Sequence, residues 1–113
     1  MEHPNTPVGS SLRGWLDRLQ QTGRLAVARP GVDLRFGVAG VANRLDGRSA
    51  SVFPAPSDHP VPVISGLLSD RAWMAEAMGV GQADLLAAFE RACTEPLPSR
   101  EVNDAACQQV VHK

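Results

Sequence analysis

The chain has 113 residues, 43% hydrophobic and 20% charged, with a net charge of -1. That length suits one domain with a modest core, and the composition is that of a globular chain rather than a disordered one. The scattered, nearly balanced charge excludes the basic patch of a nucleic-acid surface, and no apolar run is long enough to span a bilayer, so neither nucleic acid nor membrane is expected as a partner.

Met1–Ser10 is polar and holds two prolines. It reads as a loose tail and not as a secretion signal, so a cytoplasmic location is expected. Ser10-Ser11 offers an N-cap hydroxyl. Leu12, Trp15, Leu16 and Leu19 then share one helical face, which predicts a helix over Leu12–Gln21 that stops at Gly23. Arg24–Arg29 alternates as a strand does and ends at Pro30-Gly31. Asp33 is placed to cap a helix over Leu34–Leu45, with Leu34, Val38, Val41, Ala42 and Leu45 on one face. Gly37 and Gly40 fall inside it and cost roughly 1 kcal/mol each against alanine. They either let a neighbouring backbone come close or mark drift.

Ala50–Phe53 predicts a short strand, and Pro54, Pro56 and Pro60 make the following loop stiff. Val61–Ile64 predicts a strand antiparallel to Ala50–Phe53, with Pro62 favouring an edge. Asp70 favours the start of a helix over Asp70–Met78. Gly79-Val80-Gly81 stops it. A last helix over Gln82–Cys93 is expected to bury Leu85, Leu86, Phe89 and Cys93. Pro96 and Pro98 end it. The expected fold class is α/β, a small sheet of about three strands packed with about four helices. Its expected core holds Leu16, Leu19, Leu25, Val27, Val38, Val41, Val52, Val63, Leu67, Leu86 and Phe89.

No catalytic constellation accompanies this frame. The glycines at 37–40 and 79–81 lack the Lys-Ser or Lys-Thr of a phosphate loop. His3, His59 and His112 read as surface histidines. Cys93 and Cys107 read as ordinary thiols, because no third or fourth metal ligand stands at short spacing. The carboxylates fall at caps, turns and exposed helix faces. No catalytic, cofactor-binding or metal residue is therefore assigned on this chain.

Several segments, in order, resemble the N-terminal region of the UbiD family of decarboxylases. Ser11-Leu12-Arg13-Gly14-Trp15-Leu16 with Gly23-Arg24-Leu25 is similar to the family's opening. Val32-Asp33 matches the Val-Asp before the next helix. Pro62-Val63-Ile64-Ser65-Gly66-Leu67-Leu68 resembles the strand leading into Asn-Leu-Phe-Gly, and Arg71 with Ala77-Met78-Gly79 matches the helix after it. Ala106-Cys107-Gln108-Gln109-Val110-Val111 resembles the Ala-Pro-Cys-Gln segment that precedes the flavin-binding barrel. The departures are Gly37 for a glutamate, Pro54-Ala55 for Glu-Asn after Phe53, and Gly66 for an asparagine.

The resemblance implies a UbiD-like N-terminal α/β domain over 11–95, between a loose tail over 1–10 and an extended docking tail over 96–113. It implies a small accessory subunit of a two-chain decarboxylase, docked on a larger UbiD-like catalytic subunit. That partner would hold prenylated FMN with a divalent metal and potassium, with no cofactor on this chain. The alternative is a stand-alone binding or regulatory module, or a truncated remnant. Cys107, Gln108, Gln109, Val110 and Val111 are the expected docking residues, as an apolar β-type segment open to pairing with another chain. The other expectation for this segment is a strand folded back on its own sheet.

Overall fold

The computed structural model describes residues 8–103, 105 and 106. A 3-10 turn at Val8–Ser10 leads into helix α1, Leu12–Gln21. Ser11 caps α1 by accepting a hydrogen bond from the Gly14 N–H at 3.1 Å. Strand β1 is Leu25–Val27, helix α2 is Gly37–Leu45, and strand β2 is Ala50–Phe53. A 3-10 turn at Pro56–Asp58 precedes strand β3, Val63–Ser65. Helix α3 is Arg71–Met78, and helix α4, Leu85–Thr94, follows a 3-10 turn at Gln82–Asp84. The expected architecture of three strands and four helices is therefore the observed one.

The sheet order is β1-β2-β3. β1 runs parallel to β2, with Leu25 opposite Ala50, and α2 is the crossover between them. β3 is antiparallel to β2, with Val52 opposite Ile64. The central strand carries the deepest residues, Ala50, Ser51 and Phe53. Trp15 and Leu19 from α1 and Trp73 from α3 pack with Ala50, and Leu25, Leu67 and Ala77 close around them. The core thus lies where α1 and α3 meet β2. At Gly9 a Cβ would come within 2.6 Å of the Ala77 methyl carbon, so the first turn is seated directly on α3.

Several expected boundaries move for local reasons. α2 begins at Gly37, three residues later than Leu34. Asp33 Oδ1 accepts from the Arg35 N–H at 2.9 Å, and Ser57 Oγ accepts from the Leu34 N–H at 2.9 Å. Both amides are thus held by side chains in a turn instead of entering the helix. β3 begins at Val63, not Val61. Pro62 has no N–H to offer, and the Val61 N–H donates to His59 Nδ1 at 3.2 Å. Asp70 stands just outside α3 and caps it through the Ala72 N–H. Gly79 closes α3 in the left-handed conformation at φ +71.

Three members of the expected core are exposed. Val27 is 67% exposed, because it lies two residues beyond Leu25, where the Trp15–Leu19 cluster has ended. Leu86 and Phe89 are 69% and 62% exposed, and Cys93 is exposed as well. α4 is rotated so that Leu85 and Ala88 turn inward, which leaves the adjacent face of the helix outside.

Candidate functional site

Two features outside the core could carry function. The first is a polar cluster formed by α1, β1 and α3. Arg18 Nε donates to Glu76 Oε1 at 2.8 Å. Arg24 Nη2 lies 3.0 Å from Glu76 Oε1 and 2.9 Å from Oε2. The Arg24 guanidinium carbon stands 5.1 Å from the Trp73 ring centre and 5.8 Å from that of Trp15. Trp15 Nε1 in turn donates to the Leu67 carbonyl at 2.8 Å.

The Arg18 hydrogen bond holds the Glu76 carboxyl below its ordinary 4.5; burial pushes the other way, and Arg24 adds to the lowering by hydrogen bond and charge. A carboxylate so paired stays ionised near neutrality and makes a poor general acid or base. The cluster fastens α3 to α1 and β1.

The second feature is an apolar groove of about 630 Å³ on the outer side of α3 and α4. Met74 and Met78 form its α3 side, and Leu85, Leu86 and Phe89 form its α4 side. Leu68 and Gly9 line it further, and Arg71 is its one charged lining residue. This feature is where the sequence reading and the structure part. Leu86 and Phe89 were assigned to the core but are walls of an open groove. The available signal was the width of the apolar face on α4: Leu85, Leu86, Ala88 and Phe89 cover more of the helix circumference than one short neighbour can bury.

The remaining candidate residues stay apart. His59 is exposed in the loop before β3, and Cys93 is exposed near the end of α4. Among the described residues no three His, Cys, Asp or Glu side chains gather to hold a metal. Neither glycine run fits a flavin phosphate. Gly37 and Gly40 lie within α2, and Gly79 is at the carboxyl end of α3, where backbone carbonyls repel an anion. The groove offers a flavin ring system only apolar walls and one cation. Cys107, Gln108, Gln109, Val110 and Val111 lie outside the described residues. No helix of the described residues is long and apolar enough to cross a membrane.

Of the departures from the resembled family, Gly66 has a conformational explanation. Its φ is +73, and a Cβ there would stand 3.2 Å from Ser69 Oγ. Glycine and asparagine are the residues that best tolerate that left-handed turn, so Gly66 preserves the backbone geometry rather than marking a lost site.

A family model described as the 3-octaprenyl-4-hydroxybenzoate carboxy-lyase N-terminal domain matches residues 16–93. Among solved structures, an evolved dimeric form of the UbiD-class enzyme HmfF from Pelotomaculum thermopropionicum, in complex with prFMN, is similar at 36% identity and a TM-score of 0.75. The match covers 80% of this chain and 21% of that one. HmfF from the same organism in complex with FMN is similar at 35% identity and a TM-score of 0.74, over 79% of this chain and 20% of that one. The chain thus spans about a fifth of the length of these enzymes. No curated protein sequence matches it.

Proposed function

Because this chain belongs to the family of 3-octaprenyl-4-hydroxybenzoate carboxy-lyase N-terminal domains, we propose that it is a non-catalytic accessory subunit of a UbiD-like decarboxylase, docked on a larger chain that carries the flavin. The match over 16–93, with over a third of residues identical to a prFMN-bound enzyme five times its matched length, is the observation that carries this reading. The reading assigns prenylated FMN, a divalent metal and potassium to the partner, because the residues of this chain do not fit the flavin. The residues of this chain supply a rigid surface: β2 and the Trp15–Trp73 core set its shape, and the Arg18–Glu76–Arg24 cluster locks α3 in place. The segment Cys107–Val111 is part of the proposed attachment.

Pro54-Ala55, at the position of Glu-Asn in the resembled family, favours a second reading as a regulatory module that kept the fold. Co-expression with a flavin-bearing UbiD-class chain separates the two. The subunit reading expects a stoichiometric complex with the absorbance of bound flavin and with decarboxylase activity that depends on this chain. A chain that remains alone beside a flavin-loaded partner overturns it.

A further inference from the structure

From Phe89 to Asn103 every residue is exposed, so the last six residues of α4, 89–94, are barely held by the rest of the domain. A ten-residue helix is marginal alone and depends on the face it buries. Here that face consists of Leu85 and Ala88, while Leu86 and Phe89 stand free beside the groove. Exposed apolar surface of this kind, contiguous with Leu68 and Met74, marks a place where another surface sits.

The direction of the chain says which surface. The family is an N-terminal domain, its match ends at residue 93, and that residue lies on α4 itself. In HmfF about four-fifths of the polypeptide lies outside the matched part, and after an N-terminal domain it continues from this wall of the groove. A body tethered or docked there meets the groove at high effective concentration. Arg71 then specifies the polar part of the contact. It lies at the first position of α3, it lines the groove, and among the described residues it makes no ion pair. Met74 and Met78 suit a surface that adapts to its occupant.

We infer that the α3–α4 groove is the seat of the flavin-bearing body, which places an apolar face between Met74 and Phe89 and a carboxylate opposite Arg71. This assignment rests on the subunit function proposed above and names the surface through which it acts.

The test uses the full 113-residue chain and, as probe, FMN-loaded HmfF lacking its own matching domain. Phe89→Asp places a charge in the groove, Arg71→Glu reverses its one cation, and Phe36→Asp changes an exposed aromatic away from the groove. Glutamate at the start of α3 favours the helix dipole, so Arg71→Glu weakens binding without weakening the fold. The expected result is binding reduced more than about tenfold by Phe89→Asp and by Arg71→Glu, with Phe36→Asp binding as the unaltered chain does. In the free chain, Phe89→Asp is expected to move the melting temperature by no more than about 4 °C.

Unchanged binding by Phe89→Asp overturns the groove assignment alone and leaves the subunit reading standing. A large loss of melting temperature in the free variant overturns it too, by returning Phe89 to the domain's own core. A free chain that dimerises, and becomes monomeric on Phe89→Asp, gives the groove to a second copy and also overturns it. Failure of the unaltered chain to bind the FMN-loaded body overturns both the assignment and the function it rests on.

Discussion

Replacing Glu76 by glutamine tests whether the cluster joining α1, β1 and α3 is a structural fastening. Glutamine keeps the shape and one carbonyl acceptor but removes the charge that two arginines share. The two pairs are not equal. The Arg18 side chain is 45% exposed, and a pair at that exposure contributes only about 0.3 kcal/mol after solvent screening. The Arg24 side chain is 20% exposed and stacked near Trp15 and Trp73, so its charge loses a partner that water cannot fully replace. A partly buried, charge-assisted hydrogen bond of this kind contributes about 1–1.5 kcal/mol.

The expected loss for Glu76→Gln is thus about 1–2 kcal/mol, or about 5–10 °C in melting temperature for a domain this size. The pH dependence has a definite sign. The folded pKa lies below the ordinary 4.5, so the stabilisation is fully present above that value and is lost as pH falls through the folded pKa. Urea denaturation of both proteins at pH 7 and at about pH 3 measures the gap, which is expected to be wide at the first and to close toward zero at the second. A gap below about 0.3 kcal/mol at pH 7, or one of equal size at both pH values, refutes the reasoning.

Gly40→Ala is expected to stabilise the chain by about 0.5–1 kcal/mol in denaturant titration, because Gly40 is helical and a Cβ there meets nothing within 4 Å. Phe53→Ala removes a fully buried ring from the central strand and should cost about 3–5 kcal/mol, read as loss of the cooperative thermal transition or a sharply lower midpoint. Truncation after Pro98 should leave the melting temperature of the domain nearly unchanged, since the described residues beyond it are almost all exposed, while reducing co-purification with a flavin-bearing partner. In the complex, hydrogen exchange at Val110 and Val111 should slow; strong protection of those amides in the chain alone would place the segment on its own sheet and remove it from the interface.

Local information was sufficient for the identity and order of the elements. The span of α1 was legible to the residue, because an i, i+3, i+4, i+7 apolar stripe, a capping serine and a terminal glycine all lie within the segment they define. β2 and the left-handed end of α3 were legible for the same reason. The late start of α2 was not, because the hydroxyl that holds the Leu34 N–H comes from Ser57, 23 residues away. Nor was the parallel pairing of β1 with β2, which depends on α2 carrying the chain across.

The candidate site was less legible than the fold. Glu76 shows no pattern with Arg18 and Arg24 at separations of 58 and 52 residues. Leu86 and Phe89 look like core in the sequence, since an apolar helical stripe records which residues avoid water but not what covers them. Sequence determined that α4 would have a wide apolar face. Only the packing of α3 decided that Leu85 and Ala88 fill the space available, leaving Leu86 and Phe89 on the outside. A short helix can cover about one side of its neighbour, and the remainder of that face stays open for another surface.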